Sequence, residues 1–274
     1  MTQWTIPVGL EGCWAKIRRS DESIRNLKTE IDAFLNGNPK PYEVLRKFSP
    51  DGLEYLFIVK GDPLSPLRFS VLAGEIVHHL RSSLDHLITA LVIRNGSTPT
   101  KNHHFPICRT AKSWSVSCKD GSTNRITATA KKIIDENQPD KSVPDDDAHP
   151  LSVIHAMDIE DKHRLLTVVT QAAQLGDRIT LGTNEEIART LDVVPGRTIV
   201  GFGDPRPKRM TREGVEVFKI VLGSPDPTFQ AEADIVPQVA FEKCGRAELV
   251  PVIDALLFMQ NSVATTLDQF KTEF

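Results

Sequence analysis

A β-rich segment at about residues 177–243 constrains the fold most, because the long segments around it have helical periodicity. Within this segment, Gly and Pro residues separate short runs rich in β-branched and aromatic residues, such as residues 215–222 and 233–241. Such runs are typical of antiparallel strands. Since the helices and strands occupy separate stretches and do not alternate, the sequence predicts an α+β fold.

Apolar residues three and four positions apart predict four long or middling helices around this insert. Their predicted bounds are about 6–36, 67–94, 150–173 and 247–271. Helices of this length can bury their apolar faces against one another as a bundle. We therefore expect a single domain over residues 1–274, in which a helical bundle carries a C-terminal antiparallel β-element.

Two shorter features complete the predicted fold. Residues 42–48 and 54–59 are rich in β-formers, and Pro50-Asp51-Gly52 between them has the residue types of a tight turn. These residues predict an N-terminal β-hairpin. The stretch at about residues 126–136 predicts a further helix of modest length.

Composition and charge narrow the classes of partner. The chain has 33 basic and 36 acidic residues, a net charge of −3, and a pI near 6.3. Nucleic acid is therefore not expected as a partner of the whole chain, although a local basic patch stays possible. No apolar run approaches the ~20 residues of a membrane-spanning helix, and the N-terminus lacks the pattern of a signal peptide. We expect a cytoplasmic protein without membrane contact.

The four cysteines support the same location. Cys13, Cys108, Cys118 and Cys244 form no CxxC pair and match no zinc-ribbon spacing. We interpret them as reduced thiols, which are usual in a reducing compartment.

The densest group of chemically active residues is the stretch VHHLRSSLDH, which begins at Val77. On a helix with 100° per residue, His78, Arg81 and Asp85 lie on one flank of the apolar stripe. His79 and His86 lie on the opposite flank. The geometry thus divides the stretch into two groups that face different surroundings.

The predicted helix from residue 150 carries a second polar group. His155, Asp158, Asp161 and Lys162 lie within its apolar face, which is costly unless these groups are paired. We therefore expect a polar cluster where this helix crosses the helix at 67–94, with His78, Arg81 and Asp85 as the partners.

Three interpretations of this cluster stay open. The first is an ion network that only fixes the packing of the helices. The second is a binding or regulatory site for an unknown small ligand, or a metal-free catalytic site in which Arg81 holds an anion and a histidine transfers protons. The third is the metal site of a hydrolase, with His78, Asp85, His155 and Asp158 as ligands. The sequence names no cofactor.

The motifs also resemble a family of uncharacterised bacterial proteins. The similar segments are GEIVHHLRSSLDHLITALV (74–92), FPI (105–107), IIDENQP (133–139) and MDIEDKHRLL (157–166). The family carries a helix similar to ALHNLRSALDHL, an FPI segment, an LQPY-like segment and a later NIDKHR. This chain departs from the pattern at His79, where the family has Asn, and at Asp140, where it has Tyr. The resemblance supports a site formed by the two helices and implies no reaction.

A looser resemblance is to HEPN domains, helical modules of ribonucleases and toxins with an R-x(4–6)-H motif. Arg81 and His86 match that spacing. The resemblance implies a ribonuclease in which Arg81 holds phosphate and His86 is the acid or base. The two residues lie about 140° apart on a regular helix, so such a site requires a homodimer that brings two pairs into one cleft.

Overall fold

The computed structural model describes residues 6, 8–141, 148–181, 185–188, 199–202 and 208–274. The chain divides into two compact units. Unit 1 comprises residues 1–29, 67–167 and 243–274, and unit 2 comprises residues 30–66 and 168–242. Helices and antiparallel strands occupy separate stretches, so the α+β class is confirmed. The single domain over residues 1–274 stays a prediction.

The described part of the chain contains six α-helices, not the four long ones predicted. They are α1 (Glu11–Leu35), α2 (Leu67–Arg94), α3 (Ala111–Lys119), α4 (Ala128–Glu136), α5 (Pro150–His163) and α6 (Val252–Asp268). Helix α4 is the modest helix predicted at about residues 126–136, whereas α3 was not predicted. Both have nine residues, and they begin after Thr127 and Thr110, whose side chains accept a backbone N–H of the first turn. Such capping stabilises helices that are too short to persist by propensity alone.

Helix α2 is central to unit 1, because it packs against both α5 and α6 and buries residues along its whole length. Helix α1 lies along α2, where the Ser83 hydroxyl donates to the Cys13 carbonyl at 3.1 Å. It also contacts α6, since the Gln260 amide donates to the Ile17 carbonyl at 3.3 Å. These contacts hold α1, α2, α5 and α6 in one helical assembly.

Three predicted helix bounds were wrong. The helix from residue 150 was predicted to reach about residue 173, but α5 ends at His163 and residues 168–181 form strand β3. Val168, Val169 and Thr170 are β-branched and pair with residues 239–241 of another strand, so pairing with a distant segment overrides the local helical period.

The last helix begins later than predicted, at Val252 and not at about residue 247. Residues 247–251 form strand β9 (Ala247–Pro251) of unit 1, and Leu249 has a left-handed φ of 53° that no α-helix accommodates. Pro251 then occupies the N-cap position.

The first helix likewise begins later than predicted, at Glu11 and not at residue 6, since Gly9 has a φ of 101°.

Unit 2 consists of two antiparallel sheets. The first has the strand order β1-β2-β7-β5 and includes the predicted N-terminal hairpin, whose turn places Gly52 at a φ of 73°. In the second, β3 pairs with β4, β6 and β8. The strand bounds are β1 (Tyr42–Phe48), β2 (Glu54–Gly61), β3 (Val168–Leu181), β4 (Glu185–Ala188), β5 (Ile199–Phe202), β6 (Lys208–Arg209), β7 (Val215–Leu222) and β8 (Ala231–Cys244), of which residues 243 and 244 belong to unit 1.

An aromatic cluster forms the core of unit 2. Tyr55 packs edge-on against Phe48, Phe57 and Phe229, with ring centroids 5.1 to 5.5 Å apart. Phe218 lies against Phe57 from strand β7.

No helix in the described ranges combines the length and apolar character needed to cross a bilayer.

Candidate ligand site between helices α2 and α5

Asp158 on α5 is the centre of the contact between the two polar groups. Its side chain is only 3% exposed, and each of its two oxygens has a nitrogen partner. His78 Nδ1 lies 3.0 Å from Oδ1, and Lys162 Nζ lies 2.6 Å from Oδ2. A buried carboxylate requires such partners, because the loss of its hydration is otherwise uncompensated. We call His78, Asp158 and Lys162 the Asp158 site.

The two nitrogen groups of the Asp158 site face solvent, although their anchor is buried. The side chains of His78 and Lys162 are each 55% exposed. Since Asp158 accepts from Nδ1, the other ring nitrogen of His78, Nε2, is left for a further partner. A single buried carboxylate therefore fixes two nitrogen groups at the surface: the Lys162 ammonium, which donates, and His78 Nε2, which accepts a hydrogen bond in the neutral ring and donates one in the imidazolium.

Arg81 and Asp85 form a separate structure that holds the backbone of Phe105. The Arg81 guanidinium donates to Asp85 Oδ1 at 2.7 Å and to the Phe105 carbonyl at 2.9 Å. The Phe105 N–H in turn donates to Asp85 Oδ1 at 2.8 Å. The Arg81 side chain is 10% exposed, and the Phe105 ring is in the core. We call Arg81, Asp85 and Phe105 the Phe105 clamp.

The predicted grouping of His78 with Arg81 and Asp85 is therefore divided in two. The angular positions agree with the prediction, but residues 78 and 85 are about 10.5 Å apart along the helix axis. Among the described residues, His78 bonds to α5, whereas Arg81 and Asp85 bond to the FPI segment. Helical spacing identifies a shared flank, but it does not identify which neighbour covers each turn of that flank.

His155 lies on α5 one turn before Asp158, between the site and the clamp. Burial lowers the pKa of its imidazole, the Arg81 guanidinium and Lys162 lower it further, and Asp158 and Asp85 oppose them. Its Nδ1 is buried and has no hydrogen-bond partner in the described parts of the chain. Both polar groups therefore act on the pKa of the His155 imidazole.

Asp161 contacts α2 directly at Gly74. A Cβ atom at that position would lie 2.1 Å from Asp161 Oδ1, so no larger residue fits without displacing the carboxyl group. Burial raises the pKa of Asp161, and the nearby Asp158 carboxylate raises it further. A glycine inside a helix costs about 1 kcal/mol relative to alanine, so Gly74 is a sequence signal of this close approach that apolar periodicity alone does not reveal.

His79 and His86 lie on the α1 side of α2, as the split of the motif predicts. A Cβ atom at Gly12 would lie 3.1 Å from His86 Nδ1, and Ser83 bonds to Cys13, so α1 and α2 run antiparallel. Burial lowers the pKa of His79, as do the charges of Lys16, His78 and Arg19. The spacing within the motif did not predict that two cations of α1 act on His79.

The pairing of Arg81 with His86 does not occur within one chain. Both residues lie on the uninterrupted helix α2, where Arg81 is buried in the Phe105 clamp and His86 is exposed beside Gly12. The HEPN-like ribonuclease therefore stays a prediction that requires a second copy and a rearranged Arg81.

The predicted metal ligands do not form one group. Among residues that the structure describes, no set of three or more His, Cys, Asp and Glu side chains is arranged to hold a metal ion. Both oxygens of Asp158 have nitrogen partners, and Asp85 bonds to the clamp. The geometry therefore offers no ligand set for the metal hypothesis.

The described cysteines are all unpaired. Burial raises the pKa of Cys13 to about 12, and neither it nor the other three thiols belongs to the Asp158 site. A neutral, buried thiol is a packing group and not a nucleophile.

Comparison with known proteins adds no activity to this geometry. No protein-family model matches the chain, and no curated protein or solved structure shows a significant similarity to it. The side chains at the α2–α5 interface are therefore the basis for a functional proposal.

Proposed function

We propose that the protein is a binding protein that takes a small ligand with an anionic group, a carboxylate or a phosphate, at the Asp158 site. One observation carries the proposal: buried Asp158 fixes two half-exposed nitrogen groups, His78 and Lys162, side by side at the surface. Donors held in place before binding lose less entropy when a ligand arrives.

The charges of the site favour an anion over a cation. The only carboxylate of the Asp158 site is sealed beneath its two partners, so the surface presents the Lys162 ammonium and the His78 imidazole. The Lys162 ammonium brings a positive charge and three N–H donors, one of which bonds to Asp158. A phosphate or carboxylate oxygen accepts a hydrogen bond from Lys162, and from Nε2 of the imidazolium form of His78, whereas a metal ion or an amine would be repelled by Lys162.

A purely structural network accounts less well for the exposure of these groups. Removing one partner from a buried, fully bonded ion pair costs about 3–5 kcal/mol, whereas exposed pairs contribute about 0–1 kcal/mol. In the Phe105 clamp, by contrast, the cation is buried and both of its bonds are made inside the protein. The proposal includes action in the cytoplasm, which the four unpaired thiols support.

The test is a titration of the histidine side chains by NMR with inorganic phosphate and, separately, with acetate. We expect the ring-nitrogen signals of His78 to shift and saturate in wild type, and the affinity to fall about tenfold in Lys162→Gln, as the loss of one charged hydrogen bond implies. The matched control is Lys132→Gln, which removes an exposed lysine with an ion-pair partner four residues away on α4.

Two results would overturn the proposal. The first is the absence of any saturable shift of His78 with either anion. The second is equal loss of affinity in Lys162→Gln and Lys132→Gln, which would indicate that the anions respond only to overall charge.

A further inference from the structure

A cavity of about 300 Å³ lies within unit 1, between the start of α5, strand β9 and the first turns of α6. It shares no residue with the Asp158 site or the Phe105 clamp. An apolar cavity of about 150 Å³ holds one benzene molecule, so this one has room for roughly two fused rings. Its apolar walls come from all three elements and include Val153, Val250, Ala255, Phe258 and Met259.

The interior of the cavity carries no charge at neutral pH. Cys244 is the one thiol in the wall, and burial raises its pKa to about 11, so it stays protonated. Its sulfur lies 4.0 Å from that of Met157. The charged lining residues, Arg246 and Asp254, are both exposed and therefore stand at the edge. A charged ligand group placed inside would lose its hydration without gaining a partner there.

Two features accompany this cavity. Phe258 lines it and is 59% exposed. Leu249, next to the wall residue Val250, has a left-handed φ of 53°. A non-glycine residue in that conformation costs about 1–2 kcal/mol, and such strain concentrates at ligand sites.

We propose that this cavity binds a small, uncharged, apolar molecule of about the size of a bicyclic aromatic ring system, with the Phe258 ring closing over it. The volume sets the size of the ligand, and the uncharged walls set its polarity. The ligand would replace exposed aromatic surface with buried contact, which is the gain that drives apolar binding. This site is independent of the proposed anion site.

The test uses 1-aminonaphthalene, which is uncharged at neutral pH and whose emission shifts to the blue in apolar surroundings. We expect one site per chain in wild type, and naphthalene should compete for it. Ala255→Leu places extra side-chain volume in the cavity and should weaken binding about tenfold or more. The matched control is Ala156→Leu, the same change at an exposed position of α5, which should leave binding unchanged.

A second variant keeps the test decisive if Ala255→Leu fails to fold. Phe258→Ala changes an exposed side chain, so the variant should melt near the wild-type temperature while it binds the probe several-fold more weakly. The proposal is overturned if wild type does not bind the probe, or if binding persists unchanged in Phe258→Ala. It is also overturned if 1-naphthalenesulfonate, the anionic analogue, competes as well as naphthalene.

Discussion

The Asp158 site and the Phe105 clamp each join a carboxylate to nitrogen groups at helix α2, but they do so in opposite ways. In the clamp the cation Arg81 is buried and the carboxylate of Asp85 is 39% exposed, and both close on a backbone segment of the chain itself. In the site the carboxylate is buried and the two nitrogen groups face solvent. On the proposed function, the difference separates a structural role from a binding role, because only the Asp158 site leaves nitrogen groups exposed to meet another molecule.

Among the substitutions that test this difference, a change at Arg81 should lower the free energy of unfolding the most. Arg81→Met should lower the free energy of unfolding by about 3 kcal/mol, since it leaves the Asp85 carboxylate and the Phe105 carbonyl without their buried partner. Urea denaturation measures the loss. Arg19→Met, which breaks an exposed pair with Glu22, is the control and should cost less than about 0.5 kcal/mol. Equal losses in the two variants would show that no clamp exists.

The contact of α5 with α2 gives the next largest effect. Gly74→Ala should destabilise the protein by about 2 kcal/mol through overpacking against Asp161, although alanine favours a helix by about 1 kcal/mol. The double variant Gly74→Ala/Asp161→Ala removes the clash and should recover most of the loss in a double-mutant cycle. Additive effects of the two substitutions would contradict the contact.

A third prediction concerns pH. The pKa of Asp161 is raised in the folded state above its usual value of 3.8. Just above pH 3.8, the folded protein therefore binds more protons than the unfolded chain, and the free energy of unfolding falls as pH rises through this window. Asp161→Asn should abolish this fall, which unfolding curves at pH values on both sides of the window will measure. A wild-type profile identical to that of Asp161→Asn would contradict the burial of the carboxyl group.

The pKa of His155 predicts the opposite slope in a higher window. The pKa of His155 is lowered in the folded state below its usual value of 6.5. Just below pH 6.5, the unfolded chain therefore binds more protons than the folded protein, and the free energy of unfolding falls as pH decreases through this window. Unfolding curves across that window should show that His155→Gln removes this acid sensitivity. His163→Gln, an exposed histidine at the end of the same helix, serves as the control and should keep the wild-type profile.

The structural features that were predicted correctly from the sequence are those that local periodicity determines. Helix α2 has the predicted bounds of 67–94, the hairpin turn falls at Gly52, and the pairing of His78 with α5 follows from the apolar faces of two helices. Binding at that pairing stays a proposal.

The remaining features depend on contacts between distant segments. The end of α5 at His163 follows from the pairing of β3 with β8, and the Phe105 clamp follows from the path of the loop after α2. Neither has a local period that could predict it. The contact between Gly74 and Asp161 differs from these two features, because the sequence contains a local signal for it. A glycine inside an apolar helix indicates close packing at that position.

The binding site itself allows the most direct test of the difference between site and clamp. Phosphate affinity and melting temperature should be measured together in Lys162→Gln and in Arg81→Lys. We predict that Lys162→Gln loses about tenfold in phosphate affinity, whereas Arg81→Lys keeps its affinity. Both variants should melt earlier, Lys162→Gln because buried Asp158 loses one of its two partners. If Arg81→Lys loses phosphate binding while Lys162→Gln retains it, the assignment of site and clamp is wrong.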